Sequence, residues 1–176
     1  MTSHANLRVR HGKGDPKPGT AYAIVRIRGT VNVTGSIKDT MRMLRVAAPN
    51  HAAIVPANES TFGMIRKCQD YVAYGEVDTA TVVELIRKRG RAIADAPVTD
   101  ELVNKLSNGK YAGVEAYAAA IAKGEATLTE LGEGMKPLFR LQPAKGGHGT
   151  IKRHVGAGGP LGYHGAEINE LIRRMM

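Results

Sequence analysis

Residues 21–77 change hydrophobic period four times, and most of these changes are marked by glycine or proline. Over 21–28 the apolar side chains alternate, so that Tyr22, Ile24 and Arg26 share one face of an extended segment and Ala23, Val25 and Ile27 the other. Gly29 bounds that strand. Ser36 followed by Asp39 has the form of a capping box, and Ile37, Met41 and Leu44 fall on one helical face until Pro49 closes the segment. Residues 52–55, stopped by Pro56, are short and apolar enough for a second strand. Ser60 is placed to cap a helix carrying Phe62, Met64 and Ile65 to Lys67, and residues 71–74, ended by Gly75, complete a third strand. The order strand, helix, strand, helix, strand, with short connections, predicts an α+β fold: a small, mostly antiparallel three-stranded sheet with two helices packed on it.

The periodicity beyond this unit is helical. Asp78 or Thr79 opens a helix with Val82, Val83, Leu85 and Ile86, closed by Gly90 after the cations Arg87, Lys88 and Arg89, which suit a helix carboxyl end. Thr99 begins another with Leu102, Val103 and Leu106, and Val114, Tyr117, Ala118 and Ile121 stripe a third. Residues 78–134 therefore read as a helical insertion. Residues 138–141 form a candidate further strand, residues 143–165 a long glycine-rich loop, and Ile168, Leu171, Ile172 and Met175 a closing helix. Four segments result: a basic, flexible arm over 1–20, the core over 21–77, the insertion over 78–134, and the strand, loop and helix over 135–176.

Charge narrows the class of partner. Lys and Arg number 25 against 16 Asp and Glu, giving a net charge of +9 and a pI near 9.8, a balance that suits polyanions. The excess lies in the flanking regions, since residues 76–134 hold 7 basic and 10 acidic side chains. Other classes fall away. No run of about 18 apolar residues is present to span a membrane. Cys68 is the one cysteine, which excludes an internal disulfide and fits a cytosolic chain without a signal-peptide core; a small buried thiol is its expected role. The phosphate-loop pattern and the dinucleotide fingerprint are both missing, and the intervals between His148, His154 and His164 match no zinc-finger spacing. No cofactor or metal is expected.

The loop PAKGGHGTIKRHVGAGGPLGYHG holds the most distinctive chemistry. Gly146, Gly147, Gly158 and Gly159 let backbone amides approach a surface, while Lys145, Lys152 and Arg153 supply phosphate contacts. His148, His154, Tyr163 and His164 offer groups that hydrogen-bond ribose hydroxyls or stack on splayed bases. Arg26 and Arg28 at the end of the first strand, followed by Thr34, suit bidentate phosphate contact, and Arg66 with Lys67 extends that patch. The arm adds Arg8, Arg10, Lys13 and Lys17. Aromatic residues are 5% of the chain and tryptophan is missing, which favours structured RNA read by shape over a single-strand stacking platform. A rival reading uses His148 and His154 as acid and base of an RNA-processing or RNA-modifying enzyme, although no carboxylate lies in the loop to orient either ring.

Three stretches together, IVRIRGTVNVTGSIKDTMRMLRV at 24–46, PANESTFGMIRKCQDYVAYGEV at 56–77 and PLFRLQPAKGGHGTIKRHVGAGGPLGYHG at 137–165, resemble the archaeal and eukaryotic type of the large-subunit ribosomal protein thirty family, called large-subunit protein seven in eukaryotes. The resemblance spans about residues 22–174 and is most specific in the last stretch. It implies a non-catalytic, cytoplasmic structural constituent of the large ribosomal subunit that supports assembly and translation. It implies partners too: large-subunit rRNA near the region that holds the 5S rRNA, the 5S rRNA itself as a further candidate, and neighbouring ribosomal proteins around a monomeric chain. The RNA contacts it implies lie around Arg28 and Thr34, over 64–67, and along 145–164.

Overall fold

The strand Ala21–Arg26 (β1) is buried at every residue, because helices cover both faces of the sheet it centres. The computed structural model describes residues 19–92 and 95–176, so the candidate cations Arg8, Arg10, Lys13 and Lys17 lie outside the described residues. β1 is followed by α1 (Gly35–Met43), β2 (His51–Pro56), α2 (Glu59–Cys68), β3 (Val72–Glu76), α3 (Thr79–Arg89), α4 (Asp100–Leu106), α5 (Val114–Ala122), β4 (Phe139–Arg140), β5 (Gly162–Tyr163) and α6 (Ile168–Met175). The sheet order is β4-β2-β1-β3-β5, antiparallel throughout except for the parallel pair β3–β5. The expected three strands form its centre. Two two-residue strands extend it, β4 within the expected 138–141 and β5 inside the glycine-rich loop, where two residues are too few to show a period.

The alternation in β1 sorts the core into two layers. Tyr22 and Ile24 pack with Met41 of α1, with Leu44 at its end, and with Ile65 and Cys68 of α2. Ala23, Val25 and Ile27 face Val82, Leu85 and Ile86 of α3, Tyr117 and Ile121 of α5, and Ile168 and Ile172 of α6. The helices of 78–134 thus share their core with the sheet and with the C-terminal helix. Each fully buried Leu or Ile in these layers contributes roughly 1.5–3 kcal/mol. Small residues on the second face, Ala23, Ala52 and Ala73, set the helices close against it. Among the described residues no helix is long and apolar enough to cross a membrane.

The helix ends differ from the predicted caps. Thr34, not Ser36, stands at the N-cap of α1 and makes no side-chain cap bond. Asn58, not Ser60, caps α2: its Oδ1 accepts from the Thr61 amide at 2.8 Å, while Thr61 Oγ1 accepts from the Asn58 amide at 3.3 Å. α1 stops at Met43, well before Pro49, because Arg45 turns into the left-handed region at φ 61° and the Val46 amide reaches back to the Met41 carbonyl. That turn uses an arginine where glycine is usual, so composition gave no warning of it. Thr99 caps α4 and Gly90 follows α3, both at their predicted places.

Candidate RNA-binding surface

Strand register defines the ends of the molecule. Arg26 pairs with Val72, Val25 with Ala52, His51 with Arg140 and Ala73 with Gly162, so β1 and β4 finish, and β2, β3 and β5 begin, at the same end of the sheet. Three helices also finish there. α2 leads into the start of β3 through three residues. α6 follows β5 back, and its last carbonyls, Arg174 and Met175, accept from the Lys145 and Gln142 amides just beyond β4. Arg89, closing α3, donates to the carbonyl of Met176. The last turns of these helices carry Arg66 and Lys67, Arg87 to Arg89, and Arg173 and Arg174. Cations at helix C-termini are favoured locally by the helix dipole, by about 0.3–1 kcal/mol each; the topology gathers them at one end.

The predicted residues fall around this end in different roles. The guanidinium of Arg28 lies 5.3 Å from the centre of the Tyr71 ring, and the Ile27 and Arg28 amides both donate to the Tyr71 carbonyl at 3.1 Å. Arg66 sits over Phe62 at 5.9 Å, and Lys67 and Thr34 are exposed. Val31, between Arg28 and Thr34, is 85% exposed, an aliphatic side chain offered to whatever covers the loop. Arg26 requires correction. It is 1% exposed, in phase with Tyr22 and Ile24, and its Nε donates to the Arg28 carbonyl at 2.9 Å while Nη1 serves the carbonyls of Val46 and Ala47. It holds the loops on either side of α1 from beneath instead of presenting itself to a phosphate.

The glycine-rich loop is folded against the body. Nε and Nη2 of Arg174 donate to the Lys145 carbonyl at 3.1 and 2.9 Å, and Nη2 also to that of Gly147 at 2.8 Å, leaving the Lys145 side chain and the Gly146–147 turn exposed. Lys152 and Arg153 are exposed at the middle of the loop. The ring of His154 is fixed by Asp70, Nε2 to Oδ1 at 2.9 Å, and a Cβ at Gly162 would come within 2.8 Å of its Nδ1. Gly159 passes so close to the Arg153 carbonyl that a side chain there would collide with it, and Gly158 takes the left-handed φ of 76°. Tyr163 donates to the Glu76 carboxylate at 2.6 and 2.9 Å, and burial, then that carboxylate, pushes its phenol up. His164 Nε2 donates to the Pro160 carbonyl at 2.8 Å. His154, Tyr163 and His164 therefore shape the loop internally, while its exposed cations and glycine turns face outward.

Both ring nitrogens of His148 are enclosed and without a partner among the described residues, so the ring offers a substrate no proton-transfer atom. Burial, then the charge of Arg174, holds it below the usual imidazole range. Cys68 is fully buried and its thiol is pushed up to about 12 by burial, which makes it inert as a nucleophile. The sequence reading missed Asp70 as the anchor of His154 and Arg174 as the clamp on the loop. The arginine pair at 173–174, in the last turn of a striped helix, was a visible signal for the second; Asp70 had none, lying 84 positions from its partner.

A small α+β sheet whose helix-end cations and glycine turns collect at one end has the construction of a protein that docks on a polyanion. The family model described as Ribosomal protein L30p/L7e matches residues 22–72. The large ribosomal subunit protein uL30 of Methanoregula boonei is 47% identical over 154 residues, 88% of this chain and 99% of the relative. Its counterparts in Methanoculleus marisnigri, at 46% over 154 residues, and Methanococcus vannielii, at 44% over 158 residues, cover 88% and 89% of this chain and 99% of their own lengths. The chain belongs to the uL30 family of large ribosomal subunit proteins.

Proposed function

We propose that this chain holds large-subunit rRNA at the basic end of its sheet, with Arg28, Lys67, Lys145, Lys152 and Arg153 at phosphates and the Gly146–147 turn in close backbone approach. As a member of its family it is a structural constituent of the large subunit of the cytoplasmic ribosome, not an enzyme. The observation that carries the RNA reading is the convergence of α2, α3 and α6 on the end where the loop is anchored. Partners are rRNA and neighbouring ribosomal proteins; contact with the region holding the 5S rRNA is the finer part of the proposal.

The test is the salt dependence of binding to large-subunit rRNA fragments. Replacing Lys145, Lys152 and Arg153 together by alanine lowers the slope of log affinity against log salt by about two units, at about 0.7–0.9 per lost phosphate contact, without unfolding the protein. An unchanged slope means that the loop faces away from RNA. The position of the footprint decides the finer part, which fails if the protected segments lie outside the region that holds the 5S rRNA.

A further inference from the structure

The loop and α6 border an open polar pocket of about 450 Å³, within the range of small-ligand pockets. Its rim is made by the turns at Gly146–147 and Gly158–159, its polar side chains are His148, His164, Glu167, Glu170 and Arg174, and Pro160 and Leu171 add apolar surface. Gly147 and Gly158 have φ of 75° and 76°, and a Cβ at either would meet nothing within 4 Å, so the turns need glycine while no side chain fills the opening.

The lining selects among ligands. Neither Glu167 nor Glu170 has a side-chain partner among the described residues, and both are exposed. Two unpaired carboxylates disfavour a phosphate. Arg174 commits Nε and Nη2 to loop carbonyls and keeps Nη1 without a partner among the described residues. A ligand suited to this set is neutral, with adjacent N–H donors for a carboxylate and acceptors for a guanidinium on the same ring system. Guanine has that pattern: N1–H and the N2 amino group beside each other, and O6 and N7 as acceptors of arginine. Adenine and uracil lack the paired donors. His148 supplies a flat wall: its nitrogens are enclosed although the residue is partly exposed, so the surface it offers is carbon and backbone. His164 is held in place through Pro160.

We propose that this pocket receives one unpaired guanine of the rRNA, its Watson–Crick edge on Glu167 and Glu170 and its acceptors toward Arg174. The assignment rests on the RNA reading above and adds a base-specific contact to the phosphate contacts. Structured RNAs present such bases in loops and bulges.

Kethoxal, which modifies the N1–N2 edge of unpaired guanine, tests it together with hydroxyl-radical cleavage of the backbone, on large-subunit rRNA with the full chain bound. The wild-type chain protects one unpaired guanine. Glu167→Gln with Glu170→Gln, two exposed positions, restores its reactivity while the backbone footprint persists, even though removing two negative charges favours RNA overall. Identical kethoxal patterns for the two proteins over an intact backbone footprint overturn the guanine site and leave the RNA reading standing. No backbone footprint with the wild-type chain overturns both. Calorimetric titration of the RNA-free chain with guanosine 5′-monophosphate separates the sources: no saturation is expected, and saturable binding abolished by the double variant assigns the pocket to a free nucleotide instead.

Discussion

Nε2 of His154 stands 2.9 Å from Oδ1 of Asp70, joining the middle of the glycine-rich loop to the turn between α2 and β3. The two side chains are 49% and 63% exposed, so the pair is worth little to global stability, about 0–1 kcal/mol. Its effect is on position. Asp70→Ala leaves the unfolding midpoint nearly unchanged, while amide exchange over 152–159 accelerates and rRNA affinity falls about three- to tenfold. Hydrogen exchange and a binding titration on the same preparation check this; unaltered exchange would mean that the loop is held without Asp70.

Arg26 makes the opposite prediction. Arg26→Met removes a buried side chain that serves the carbonyls of Arg28, Val46 and Ala47. Of these contacts only that to the Val46 carbonyl is fully buried, and leaving a buried acceptor unpaired costs about 1–3 kcal/mol, so urea unfolding should show a loss of that order. A surface phosphate ligand would show a change within about 0.5 kcal/mol.

Gly75 and Gly147 separate two reasons for glycine. A Cβ at Gly75 would run into the backbone carbonyl of Gly165, where β3 meets the turn before α6. Gly75→Ala thus pushes two backbones apart and costs roughly 2 kcal/mol or more. Gly147→Ala meets no atom but must hold φ near 75°, a cost of about 1–2 kcal/mol confined to the loop. Thermal melts rank the two variants, and a Gly75→Ala protein as stable as the parent would contradict the close approach.

Stability should fall in mild acid. His51 Nδ1 is buried without a partner among the described residues, and burial, then Arg140 and Arg26, holds the ring below its ordinary value of 6.5. His148 is lowered as well, by burial and Arg174. The unfolded chain takes up protons near pH 6.5 while the folded one resists. This contribution is therefore complete above that pH, is lost as pH falls below it, and levels off once the folded rings titrate. Urea midpoints from pH 8 to pH 5 trace the decline, and His51→Gln flattens part of it; a midpoint constant over that range would refute the account.

The helix stripes and the three central strands were legible because periods of two and 3.6 repeat over enough residues to be seen. Val114, Tyr117, Ala118 and Ile121, or Ile168, Leu171, Ile172 and Met175, are buried as their spacing required. Arg26 was misassigned although its signal was present: a cation in phase with Tyr22 and Ile24 on a covered face points inward. The loop was illegible for a different reason. Its shape depends on Asp70 and Glu76, more than eighty positions away, and on carbonyl contacts that no local pattern encodes. Composition identified it as a place for chemistry; only the fold shows which of its side chains are spent on holding it.

The strands at the two margins of the sheet are two residues long, β4 on one side and β5 on the other. A longer free margin would expose a row of amides and carbonyls on which another extended chain could build. Here each margin gives way after two residues to a turn or a loop. At high concentration, a neighbouring copy that meets β4 or β5 finds a ledge of only two residues from which to grow a shared sheet.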